Sequence, residues 1–492
     1  MSADALISAD ALMSALDEAK PVHARWSEVN RQFLEFVAAN PECLDRDSYA
    51  GVCQAPGLQT YSSVQPWPLF FEPQRVRELA EMAVGVDGLI KAAVERFLRN
   101  DVQTVADYYH TPPPTDGSRR GISGLVTEET IPVMVAKPNG VASSFSRCDY
   151  LETREGLKLM ELNSSGRLGG LPTPDYICER YLESPLTARF LRQVNRRART
   201  MGTRRAMLRH VVEDTRRLGA WTEGDFNVAI IIYPSPPAIL ARFDAEEYTR
   251  ELHAALVEAG HAPRGRVMLC SLEDLSASES GVTLAGAPVH AVIEQQGSGG
   301  PIPPMYPAFK ARRVNLFSGP IKAILSDKRN LALVSEHADS ADFTAAERAL
   351  IERHFAWTRR VLPSRTTFRG RPLRLPDDLP AGRDDFVLKK GWSGRGGGVV
   401  VGRFSTPDEW EQAIARAVRE GDWVVQERLD SVPYCFHDAQ AGAVPHEVVW
   451  GLFVFGEHFG GVHLTMLPTG HGSGMVNPNQ GAALGAGLAL VD

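Results

Sequence analysis

The run SRCDYLETREGLKLMELN, residues 146 to 163, constrains this chain more than any other stretch. Its two halves read as strands, and Arg154, Glu155 and Gly156 between them read as a turn. Side chains two apart on a strand share a face, so Arg147 points with Asp149, and Glu161 with Asn163. A hairpin would therefore gather an arginine, two carboxylates and an amide on one face. Two carboxylates and an amide oxygen are hard ligands suited to Mg2+, which keeps several waters and is shared with substrate phosphates. The planar fork of Arg147 suits a phosphoryl or acyl-phosphate oxygen. A solvent-facing hairpin with polar alternation is the plainer alternative, although Asp and Asn are poor strand residues without such a purpose.

A second motif, FVLKKGWSGRGGGVVVG over residues 386 to 402, runs strand, glycine loop, strand. A dinucleotide fingerprint or a Walker loop needs a helix after the glycines, whereas Val399, Val400 and Val401 extend a strand. The remaining readings are a flexible hairpin with no ligand, or a lid whose backbone amides close over nucleotide phosphates. Three neighbours favour the lid. Lys389 or Lys390 precedes it on a strand, and Lys328 in SDKRNLALVSE opens a helix, each able to meet a phosphate as a point charge. The strand DWVVQERL ends in Gln426 and Glu427, in the form of a hinge presenting backbone groups to an adenine edge.

Elsewhere the pattern is α/β. Helical spacing covers Ala3 to Ala19 and Val76 to Leu98, and the Pro/Gly-rich loop TPPPTDGSRRGISG reads as a boundary. IPVMVA at 131 to 136 reads as a strand. NVAIIIYP, a helix from Asp244 to Ala259, RVMLCS and VHAVIEQQ form the succession of a parallel α/β layer. Ser326 to Val361 reads as helical, and Asp385 onward as strands with one helix from Pro407 to Glu420. The arginine-rich stretch over residues 189 to 217 reads as a solvated helix face or as an anion site for a tRNA or carrier protein.

Taken together, R-x-D, E-x-N, a lysine at a helix start, V-L-K before a glycine-rich loop and a Q-E hinge resemble a circularly permuted ATP-grasp ligase of the glutathionylspermidine synthase type. The resemblance covers roughly Phe145 to the C-terminus. It implies that Asp149, Glu161 and Asn163 hold Mg2+ and that Arg147 stabilises the transferred phosphoryl group. Lys328 and Lys389 would bind ATP phosphates, with Ser393, Gly394, Gly396, Gly397 and Gly398 in the lid and Gln426 and Glu427 at the hinge. Lys390 is turned away by strand alternation. Four parts follow: a helical region over 1–125, a metal- and substrate-binding part over 126–220, an α/β subdomain over 221–320 and a nucleotide-binding part over 321–492. Two departures stand out. SSGRLGGLPTPDY follows the metal motif where the family has an acidic segment, and Thr465 stands where an arginine is expected.

The implied activity is carboxylate-amine ligation through an acyl phosphate, with small-molecule acid and amine as substrates. Ser143, Ser144, Arg167, Arg312 and Arg313 are candidates for the acid's cationic cradle, and Glu294 for the amine pocket. His463 and His471 read as core or loop histidines. A phosphotransferase acting on a hydroxyl, or a non-catalytic binding protein on the same fold, are the alternatives. A formal net charge of -7 argues against a general nucleic-acid binder. Six scattered cysteines without a C-x-x-C pair read as thiols in a reducing cytosol. No secretory leader or membrane span is legible, so the expected location is the cytoplasm.

Overall fold

The computed structural model describes residues 19–40, 42, 50–53, 63–98, 104, 107–109, 145–164, 168–235, 240, 243–295, 303–317, 324–393, 397–438, 442–470 and 474–491. The expected helix at Ala3 to Ala19, except for Ala19 itself, and the strand IPVMVA lie outside these residues.

A central eight-stranded sheet runs in the order Leu69–Phe71, Ala483–Val491, His458–Pro468, Gly442–Phe455, Phe145–Thr153, Gly156–Ser164. Tyr434–Asp438 also pairs with Gly442–Phe455, and Arg197–Arg199 with Ala483–Val491. Every pairing is antiparallel except that of Leu69–Phe71 with Ala483–Val491. His458–Pro468, Ala483–Val491 and the second half of Gly442–Phe455, from Trp450 on, are buried almost continuously rather than at alternate residues, as strands covered on both faces must be. One cover is the helix Pro73–Leu98, whose Ala83, Val86, Ile90 and Ala93 share a core with Cys148 and Tyr150. By alternation Arg147 and Asp149 face the other way.

Asn315–Leu316, Ala291–Glu294, Val228–Tyr233 and Val267–Ser271 form a second, wholly parallel sheet. The helix Ala245–Glu258 that crosses between two of its strands is N-capped by the Asp244 carboxylate, which accepts from the amides of Glu246 and Glu247. This is the expected α/β layer. A small meander over Leu275–Ser278, Gly281–Leu284 and Ala287–Val289 is inserted before the third strand in sequence.

The third sheet is antiparallel, in the order Thr358–Arg360, Trp423–Glu427, Phe386–Lys390, Val399–Val401. Its helix Pro407–Glu420 is bounded by local chemistry: a Thr406/Glu409 capping box, Pro407 in the first turn and Gly421 at φ +71°.

Two expectations need correction. Ser326 to Val361 is two helices, Arg329–Glu336 and Ala345–His354, followed by a strand, because Phe355 leaves helical geometry and β-branched Thr358 pairs with Gln426. The arginine-rich stretch is also divided, into Pro185–Gln193, the strand Arg197–Arg199 and Thr203–Leu218. Asn195 and Gly202, both in the left-handed region, make the breaks. Several of its arginines are spent on carboxylates: Arg204 on Asp175, Glu179 and Glu247, Arg205 on Glu251, and Arg209 on Glu213. Among the described residues no helix is long and apolar enough to cross a membrane.

Candidate active site

The hairpin Phe145–Thr153/Gly156–Ser164 forms in the register that its motif demands. Arg147 lies opposite Asn163 and Asp149 opposite Glu161. Arg147 grips Asp149 with two parallel bonds, Nε to Oδ1 at 2.7 Å and Nη2 to Oδ2 at 2.8 Å. Its third nitrogen, Nη1, donates to the Gly169 carbonyl. The Asn163 amide nitrogen donates to Asp149 Oδ2 at 3.0 Å and to Glu161 Oε1 at 3.1 Å. A donor thus straddles the two carboxylates where a cation would be drawn, and turning the amide over presents its oxygen instead. The donor set fits Mg2+, which needs only one or two carboxylates when phosphates complete its shell. Among the described residues no group of three or more His, Cys, Asp or Glu converges on a metal position.

Lys328 reaches this hairpin because its turn is stitched to it. Ser326 Oγ accepts from the Ser164 amide at 2.8 Å and donates to the Ser164 carbonyl at 2.9 Å. Asp327 and Arg329 pair with each other at 2.7 Å in full burial, leaving the lysine between them to point away. The Lys328 amide bonds the Gly391 carbonyl at 2.8 Å, tying the turn to the start of the glycine loop. The Lys328 ammonium then lies 3.3 Å from Glu161 Oε2 and donates to the Ser393 carbonyl at 3.2 Å.

Lys389 arrives from the third sheet. Its ammonium donates to Gln426 Oε1 at 2.7 Å and to the Met160 carbonyl at 3.2 Å. Met160 is the extra residue of a bulge, since Asp149 pairs with Glu161 but Tyr150 with Leu159. Lys390 turns the other way, to Glu420 at 3.0 Å, as alternation required. Gln426 spends its side chain on Lys389 and Thr358. Glu427 bonds the Trp357 amide at 2.9 Å through its carboxylate, and its own amide bonds the Trp357 carbonyl at 2.9 Å. After Glu427 the chain leaves the sheet beside a cavity of about 820 Å³, lined by Thr153, Lys158, Arg369, Glu427, Leu429 and Val432 among others. Thr153 lies on the Asp149 face, as does Lys158, which pairs with Leu151. The cavity therefore sits at the turn end of the hairpin, where Arg154 and Glu155 of the turn and Arg25, paired with Glu152 of the opposite face, also line it.

The loop after Lys389 is a hairpin, with Lys389 opposite Val399. Gly398, at φ +81°, is required: a Cβ there would lie 2.8 Å from Lys390 Cβ. Ser393 and Gly397 belong to the same loop. Gly394 and Gly396 lie outside the described residues, as do Ser143, Ser144, Arg167 and His471. Arg312 sits exposed at φ +57° in the turn after the helix Tyr306–Lys310, on the parallel-sheet unit, and Glu294 is buried at a strand end in the same unit.

Burial opposes ionisation of Glu161, but Lys328 and Lys389, the Asn163 amide and Arg147 together outweigh it and hold the carboxyl well below its usual range. For Asp149 burial wins over Arg147 and moves the carboxyl upward. Burial, reinforced by Lys328 and resisted by Glu161, brings the Lys389 ammonium down to about 8.

Some participants are not evident from motif spacing. Gly451 pairs with Asp149 in the next strand, and a Cβ there would lie 2.9 Å from Arg147 Cδ. A lone glycine inside the bulky run VVWGLFVF is the signal that could have found it. The Met160 carbonyl has no such signal, because a bulge is a property of the pairing.

No family model matches the chain, and no curated protein matches it. Among solved structures it is similar to a glutathione synthetase-like effector from Globodera pallida in its apo form, at 12% identity and a TM-score of 0.54, over 90% of this chain and 95% of that one. A putative gamma-glutamylcysteine synthetase from Methylobacillus flagellatus aligns at 10% identity and a TM-score of 0.34, over 83% of this chain and 88% of that one. The first likeness spans nearly the whole length of both chains and gives this mixed α/β protein a glutathione synthetase-like fold.

Proposed function

We propose that the chain is an ATP-dependent carboxylate-amine ligase that forms an amide or peptide bond and releases ADP and phosphate. The observation that carries this reading is the meeting at Glu161 and Met160 of a hairpin bearing Arg147, Asp149 and Asn163 with two lysines from separate elements, Lys328 and Lys389. One side supplies what a magnesium ion needs and the other what phosphates need.

In this reading the γ-phosphoryl group of ATP passes to a carboxylate oxygen of the acid with loss of ADP, and an amine then attacks the acyl carbon, expelling phosphate. Asp149, Glu161 and Asn163 would hold Mg2+, whose contribution is to neutralise phosphate charge. Arg147, whose fork now holds Asp149, would turn to the transferred group once Asp149 is shared with the cation. Lys328 and Lys389 meet the nucleotide phosphates, and the loop from Ser393 to Gly398 keeps water from the activated acid. The cavity beyond Glu427 suits the nucleoside end. A circularly permuted ATP-grasp order belongs to the proposal, with the four parts 1–125, 126–220, 221–320 and 321–492, the last of which shares its strands from Tyr434 onward with the central sheet that carries the metal hairpin. It is supported by a metal hairpin that precedes the lysine-bearing sheet in the chain yet meets it in space. Cys148, Cys178, Cys270 and Cys435 are buried free thiols, which supports a reducing, cytoplasmic setting.

Hydroxamate trapping tests the reading. The protein is given Mg-ATP, hydroxylamine and pools of amino acids, peptides and other carboxylic acids. A hydroxamate with matching ADP, lost in Asp149→Asn and Glu161→Gln, is the expected result. AMP in place of ADP, or a phosphorylated hydroxyl without hydroxamate, refutes it.

A further inference from the structure

On the metal face of the central sheet, Asp149 pairs with Gly451 and Gly451 pairs with His463. Directly opposed residues share a face, so the three form one row, with Asp149 and His463 about 10 Å apart at two strand spacings. The middle of the row is bare. The stem of Arg147 fills that space: a Cβ on Gly451 would lie 2.9 Å from its Cδ and 3.1 Å from its Nε. Arg147 thus reaches from its own strand across Gly451 in the direction of His463.

Above it lies the turn Gly169–Gly170. The Gly169 carbonyl accepts from Arg147 Nη1. The next residue rests on His463: a Cβ on Gly170 would meet imidazole Cε1 and Nε2 at 3.1 Å, and its φ is +78°. His463 is only 5% exposed. The imidazole, the two-glycine turn and the guanidinium are therefore stacked in series. This matters because Asp149, which now holds two of the Arg147 nitrogens, is also the proposed metal ligand. Once Asp149 is shared with a cation, the Gly169 carbonyl is the anchor that keeps the guanidinium in place.

We propose that His463 is a positioning residue for Arg147, acting through the Gly169–Gly170 turn that its ring supports. The inference rests on the ligase reading. The assay uses hydroxylamine, Mg-ATP and the acid that wild-type protein converts to hydroxamate. His463→Ala should lower kcat roughly 10- to 100-fold, the scale of a displacement near 1 Å at a reacting centre. KM for ATP and the affinity for trinitrophenyl-ATP should stay within about two-fold. His463→Phe, which keeps a ring under the turn, should restore most of kcat. In an Arg147→Lys background His463→Ala should cost little more, since partners acting in series are not additive. Gly170→Ala puts a methyl between the turn and the ring, 3.1 Å from the imidazole, and should reproduce the kcat loss, which provides the same test if His463→Ala fails to fold. An unchanged kcat in His463→Ala, or an equal loss in both backgrounds, overturns the proposal while leaving the ligase reading intact. No hydroxamate from wild-type protein with any acid removes both.

Discussion

At the scale of single residues, the site is a set of opposite charges that neutralise one another before any ligand arrives. Lys389 is the most exposed to test. Its ammonium is charged below about 8 and loses its proton above that, whereas an unfolded lysine holds it to 10.5. Two consequences have opposite signs. Between those pH values the unfolded chain binds more protons, so Lys389 makes stability rise with pH. A neutral amine attracts phosphate poorly, so kcat/KM for ATP should fall as pH rises through about 8. In Lys389→Arg, which keeps its charge, that falling limb should vanish; a limb that persists unchanged would assign the titration to another group. The sequence made the polar residues of this site legible, because Arg147, Asp149, Glu161, Asn163, Lys328 and Lys389 are chemical types with few uses in such spacing. The backbone partners were not legible. Met160 and Gly169 contribute carbonyls, which every residue owns.

Elements show where local rules sufficed. The helix Pro407–Glu420 begins at a capping box, a signal written in four adjacent residues, whereas Ala345–His354 begins at another, Thr344/Glu347, inside a stretch that reads as helical throughout. The end of the second was misjudged because a strand pairing 68 residues away at Gln426, bonded to Thr358 Oγ1, decides it. Two element-scale tests follow from packing. Gly398→Ala would place a Cβ 2.8 Å from Lys390 Cβ at a positive φ, so the hairpin after Lys389 should distort. ATP affinity by trinitrophenyl-ATP displacement should weaken several-fold while the melting temperature barely moves. In the helix Pro73–Leu98, Lys91 and Asp87 pair at 2.5 Å with side chains 2% and 1% exposed. Asp87→Ala leaves a charge buried and should cost about 3–5 kcal/mol in urea unfolding, whereas replacing both with leucine should cost far less.

For the whole molecule, the α/β class and the strand, helix, strand order of the parallel sheet were readable from hydrophobic periodicity. The central sheet was not, since its order joins Leu69–Phe71 to Ala483–Val491 and Gly442–Phe455 to Phe145–Thr153, pairings that no local pattern announces. Ala483–Val491 lies inside that sheet, between Leu69–Phe71 and His458–Pro468, and is buried along nearly its whole length. Ending the chain at residue 482 should therefore abolish the cooperative thermal transition, while a loss of only a few degrees would mean that the sheet closes without it. The same topology sets a timetable. The hairpin that carries Arg147 and Asp149 is made early, but the neighbour that completes it, Gly442–Phe455, follows about 300 residues later, roughly 15 to 60 s at ordinary synthesis rates. Throughout that interval the nascent chain presents a strand edge with nothing to pair with, so this protein's exposure to misassociation is greatest while it is being made.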